Sequence, residues 1–124
     1  MQGQPKLTWL FFSFSGRISP AACLLGGLFV LVVQMFLFYS WARAFEVAPQ
    51  SAVAFFWGLA VSISILVGVW ANFGLTAKRF HDFGKPTVFG AISLVAGLIL
   101  FVILAFIKGD PGPNRFGAAT NQPK

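Results

Sequence analysis

The sequence predicts an all-α integral membrane protein, with three transmembrane helices and a short interfacial N-terminal segment. Two observations carry this. The runs Ala21–Ala42, Ser51–Ala77 and Thr87–Ile107 contain no charged side chain, and each is close to or above the ~20 residues that cross ~30 Å of hydrocarbon at ~1.5 Å per residue. The 124-residue chain is 57% hydrophobic and only 10% charged, and its mean hydropathy is +0.80. A soluble fold of that composition would lack polar surface. The organisation is a single domain, read as an interfacial segment over 1–20, a three-helix membrane region over 21–107 and a polar tail over 108–124.

The segment Leu7-Thr8-Trp9-Leu10-Phe11-Phe12-Ser13-Phe14 is aromatic but too short to span, and Ser15-Gly16-Arg17 closes it. Placement at the membrane interface follows, with Trp at headgroup depth. Pro20 suits the first turn of the next helix, where its missing N–H costs nothing. The first apolar run is followed by Ala42-Arg43-Ala44, a pattern that also occurs at signal-peptide cleavage sites. Its ~22 residues exceed the ~7–15 of a signal's apolar region, so an uncleaved anchor is expected. Cys23 has no second cysteine to pair with, and ordinary apolar packing is its expected role.

Helices in lipid associate through small residues and buried hydrogen bonds. Ala60, Ser64, Gly68 and Asn72 recur every four residues and so share one helical face. Gly90, Ser93 and Gly97 form a similar stripe in the third run. Depth arithmetic at ~1.5 Å per residue pairs Asn72 with Ser93 and Gln34 with Ser62 as candidate interhelical hydrogen bonds. These stripes serve packing within one chain, with homo-oligomerisation as the alternative use.

Three spans place the N- and C-termini on opposite sides. Lys6, Arg17, Lys78, Arg79 and Lys85 then fall on one side and Arg43, Lys108, Arg115 and Lys124 on the other. Five against four is a narrow vote for a cytoplasmic N-terminus and an outward C-terminus.

Three polar clusters flank the runs: Phe14-Ser15-Gly16-Arg17, Arg79-Phe80-His81-Asp82, and Gly109-Asp110-Pro111-Gly112-Pro113-Asn114-Arg115-Phe116-Gly117. In this order around three spans they resemble the bacterial inner-membrane family called domain of unknown function 805, the YhaH-like proteins. The residues that carry the resemblance are Gly16 and Arg17, then Arg79, His81 and Asp82, then Gly109, Gly112, Asn114, Arg115, Phe116 and Gly117. The chain departs from the pattern at Pro20-Ala21-Ala22-Cys23-Leu24, where the family often has a further Arg and an aromatic pair. It departs again at Lys85-Pro86-Thr87-Val88, where many members have Trp. The resemblance implies a multi-pass protein of the bacterial inner membrane and carries no biochemical activity with it.

Arg17, Arg79, His81 and Asp82 are the candidate polar cluster at the membrane rim, with His81 its pH-sensitive member. Interfacial charge balance is the plainer reading of the same residues. No nucleophile has an evident base and orienting partner, so no catalysis is expected. His81 and Asp82 alone do not make a metal site, and neither metal nor cofactor is expected. The glycine-rich tail lacks the Gly-Lys-Ser/Thr ending of a phosphate loop and reads as a turn. The formal charge is +6, but its basic residues are scattered, which points to anionic lipid rather than nucleic acid as partner. The function expected is structural, accessory or interaction work in the membrane. A subunit of an oligomeric transporter or channel, or an anionic headgroup-binding module, are the alternatives.

Overall fold

The computed structural model describes residues 6–123. Its elements are α1 (Leu7–Phe12), α2 (Pro20–Val47), α3 (Ala52–Asp82), a 3-10 segment (Thr87–Ile92) and α4 (Ser93–Ala105), with no strand element among the described residues. Three helical stretches, Pro20–Val47, Ala52–Asp82 and Thr87–Ala105, are long and apolar enough to cross a membrane.

Both long helices begin on a serine cap. Ser19 Oγ accepts from Ala22 N at 3.1 Å, with Pro20 in the first turn, and Ser51 Oγ accepts from Ala54 N at 3.1 Å. Each cap satisfies one of the N–H groups that a helix start leaves open. α2 and α3 form an antiparallel hairpin, so Pro20 and Asp82 lie at one end of the bundle, the near end, and Val47 and Ala52 at the other, the far end. α3 runs past the apolar stretch through Lys78, Arg79 and His81 to Asp82.

The third helical stretch has the length to cross but not the course. At Gly97 the backbone takes φ 50°, ψ −130°, and the helix breaks there. The stretch starts at the near end, where Thr87 Oγ1 meets His81 Nε2 at 2.8 Å. Gly90 packs on Phe73 O and Ala77, and Gly97 reaches the level of Val30, Gln34 and Asn72. From there the chain comes back. Phe101 packs on Gly27, Leu104 O and Ile107 O accept from the Arg79 guanidinium, and Asp110 N donates to Asp82 O at 2.6 Å. The ten or so residues on each side of the turn cover about 15 Å, half a bilayer core. Charge-free composition does not distinguish a span from such a re-entrant hairpin.

The tail therefore lies at the near end, against Arg17 and Ser19. Arg17 N donates to Gln122 O at 3.2 Å and Ser19 N to Asn121 Oδ1 at 2.8 Å. This corrects the expectation of termini on opposite sides.

Both buried apolar clusters lie in the near half, with Ala54 buried separately in the far half. Ile18, Cys23, Leu75 and Phe101 form one buried cluster and Phe80, Leu100 and Leu104 another. Gly26 and Gly27 admit Leu75 and Phe101 to α2, where a Cβ would stand 2.9 Å and 2.7 Å from them. The far half is the bare α2/α3 pair. There Phe38, Trp41, Phe45, Phe55 and Gly58 line an open groove of about 700 Å³.

The small-residue face of α3 is spent within the chain. Gly68 lies against the Gln34 amide, and Gln34 Nε2 donates to Ser64 O at 3.0 Å. Ala60 and Asn72, on the same face, are half-buried. Ser62 Oγ donates instead to Gly58 O in its own helix, so the expected Gln34–Ser62 bond is not formed. Nor is Asn72–Ser93: Asn72 Oδ1 and Ser93 Oγ are buried without a hydrogen-bond partner. Gly90 and Ser93 are buried, whereas Gly97, expected in their stripe, packs on nothing and supplies the turn.

Candidate polar clamp at the near end of the bundle

Three helices end at the near end, and each presents the carbonyls that a C-terminus leaves unpaired. α3 brings Lys78, Arg79, His81 and Asp82 there on its last two turns, and the turn at Gly16 delivers Arg17. Gly16 has φ +93°, and a Cβ on it would lie 2.5 Å from Gln122 O and 2.8 Å from the Trp9 ring. Only glycine suits that backbone and that space.

The cations are buried, Arg17 at 1% exposure and Lys78 and Arg79 at 0%. Lys78 Nζ donates to Trp9 O at 3.1 Å, Leu10 O at 2.6 Å and Ser13 O at 2.5 Å, closing the end of α1. Arg79 reaches the end of α4 through Leu104 O and Ile107 O, and its Nη1 pairs with Asp82 Oδ2 at 2.7 Å. Arg17 Nε holds the other carboxylate oxygen, Asp82 Oδ1, at 3.1 Å. Its remaining donors go to Gly112 O at 2.8 Å, Asp110 O at 2.7 Å, Gly117 O at 3.3 Å and Asp82 O at 3.4 Å. Asp82 is thus one carboxylate shared by two guanidiniums. Three cations against one carboxylate leave an excess of positive charge, which the converging carbonyl dipoles of three helix C-termini offset.

His81 Nδ1 lies 2.9 Å from Gly16 O, and since a carbonyl only accepts, Nδ1 carries the proton. The ring stacks on Phe116 with centroids 4.1 Å apart and planes 1° from parallel. Asn114 fixes the tail by donating from Nδ2 to His81 O at 2.9 Å and Asp110 Oδ2 at 2.8 Å, and its Oδ1 accepts from Phe116 N at 2.9 Å. Backbone bonds between Asn114 and Gly117 in both directions make the tight turn that presents Phe116. Gly109 sits so close to Asp82 that a Cβ would overlap the carboxylate.

The structure thus brings Arg17, Arg79, His81 and Asp82 together and adds Gly109, Gly112, Asn114, Phe116 and Gly117 from the tail. Arg115 is exposed, its guanidinium over the Phe116 ring at 4.6 Å. Sequence reasoning assigned Lys78 to the surface charge of a connector and missed its role at α1. Its place beside Arg79 at a helix end was the available signal, and it did not reveal that the side chain turns inward. Elsewhere, Arg43 Nη1 and Glu46 Oε2 pair at 2.8 Å in the open, and Asp110 Oδ2 accepts from Asn114 Nδ2. Chemically, the arrangement is a clamp that ties four segments of chain, with its charged donors turned inward.

Comparison with curated proteins and with solved structures finds no match. Among protein families, residues 11–118 match the one described as "Protein of unknown function (DUF805)". That match includes Arg17, the α3 end and the tail turn through Gly117, and the chain belongs to this family.

Proposed function

We propose that this protein does structural, accessory or interaction work in a bacterial inner membrane, without catalysis, and that both of its ends face the cytoplasm. One observation carries the first part: Arg17, Lys78, Arg79 and Asp82 are engaged with the chain's own oxygens and guanidiniums, which leaves them to hold the fold rather than a substrate. What remains open is the far-half groove around Trp41 and Phe45. Its concave shape, with the small residues Gly58 and Ser62 on its wall, lets a partner helix approach closely.

The orientation rests on the tail's position. With the tail at the near end, Lys6, Arg17, Lys78, Arg79, Lys85, Lys108 and Arg115 belong to that end, and among the described residues Arg43 alone belongs to the other. Seven against one supports a cytoplasmic near end, where five against four was a narrow vote. Headgroup attraction at that face falls to the exposed Lys6, Lys85, Lys108 and Arg115, at roughly 1 kcal/mol each.

A photo-crosslinking residue at Trp41 or Phe45, activated in native membranes, tests the interaction reading. Discrete protein adducts from these positions, and none from lipid-facing Val95, are expected. Lipid adducts alone at all three would reject it.

A second reading, a subunit of an oligomeric channel or transporter, is favoured by the break at Gly97, because irregular backbone at membrane depth recurs where it lines a cavity. Faster permeation of a small neutral solute into liposomes carrying the protein would support it, and unchanged permeation would remove it.

A further inference from the structure

The turn at Gly97 creates polar groups where a membrane offers no partners. A helix broken at one residue loses the intrahelical bonds across the break, freeing carbonyls just before Gly97 and N–H groups just after it. Unpaired in hydrocarbon, each is strongly unfavourable. Two side chains share the difficulty. Asn72 Oδ1 and Ser93 Oγ are buried without a partner, and Ser93, one helical turn before Gly97, is 8% exposed.

Asn72 and Gly97 border a space that Ser93 does not line. A cavity of about 70 Å³ is lined by Gln34, Asn72, Gly97 and Leu98, among apolar walls from α2 and Phe101. A water needs only about 10–15 Å³ measured this way and two to four polar partners. No ionisable side chain lines the cavity, so nothing there compensates a charge, which inside a membrane is expensive.

We propose that Gln34, Asn72 and the backbone opened at Gly97 form a mid-depth site for a small uncharged hydrogen-bonding molecule, water being the one that fits. It would accept from the freed N–H groups, donate to Asn72 Oδ1 and the freed carbonyls, and so stabilise the turn that brings the tail back to the near end. The site stands on this geometry whichever functional reading holds.

The test uses the full chain, ¹⁵N-labelled, in lipid nanodiscs, with NMR transfer of magnetisation from water to protein. Transfer is expected at the Asn72 side-chain amide and at the backbone N–H of Leu98 and Ile99, and not at Ala71, which is next to Asn72 but outside the cavity lining. In Asn72→Leu, transfer to Leu98 should fall. Folded wild-type protein with no water transfer at Asn72, Leu98 or Ile99 would overturn the proposal. A sodium-dependent shift of the Asn72 side-chain resonance would also overturn it, by making the guest an ion.

Discussion

Replacing Asp82 by alanine will destabilise the protein by roughly 3–5 kcal/mol, the usual cost of removing one partner from a buried ion pair. The effect belongs at the upper end because one carboxylate serves two guanidiniums, Arg17 at 3.1 Å and Arg79 at 2.7 Å, both essentially without solvent contact. Its loss strands two positive charges beside Lys78. Asp82→Asn retains hydrogen-bonding capacity but not the charge, and should lie between alanine and wild type. The control is Glu46→Ala, which breaks the Arg43 pair at 60% and 66% side-chain exposure and should cost about 0–1 kcal/mol. Thermal unfolding in detergent measures all three, and limited proteolysis of the tail reports whether residues 108–123 have come loose. An Asp82→Ala protein as stable as Glu46→Ala would mean that the clamp holds nothing.

Gly97→Ala is expected to cost about 1–3 kcal/mol, through backbone conformation alone. At φ +50°, ψ −130° an L side chain is strained, and nothing lies within 4 Å of where its Cβ would go. Crowding is thus excluded as the cause. The strain can be relieved by straightening the helix, but only by withdrawing Leu104 and Ile107 from Arg79. Lower thermal stability and a tail more open to protease should therefore appear together. Gly112→Ala, also in open space and without a left-handed φ, should stay within about 0.5 kcal/mol of wild type. Equal behaviour of the two variants would show that Gly97 is not a turn.

The two long spans were legible because burial in lipid requires an unbroken uncharged run, and composition records that directly. Their ends were less so. Charges at Arg79, His81 and Asp82 end a hydropathy signal without ending a helix, and α3 carries them inward on its last turns. The convergence of Arg17 with Arg79, His81 and Asp82 could be suspected from their places at the rims of successive spans. The tail's part in the clamp could not, because counting three spans sent it across the membrane. The misplaced tail traces to Gly97. In sequence it continues the spacing of Gly90 and Ser93 and looks like a packing glycine, and only its backbone angles reveal a reversal. Sequence also could not show that Lys78 turns inward, since its partners are carbonyls, which every residue has.

The central claim is that the third apolar stretch returns to the side from which it entered. Reporter fusions at the N-terminus, in the loop at Gln50 and after Lys124, read in intact cells, test it most directly. The two termini should report the same compartment, the cytoplasm, and the Gln50 loop the opposite one. A C-terminal reporter that sides with Gln50 would contradict the account, because the clamp at Asp82 would then have no tail to hold.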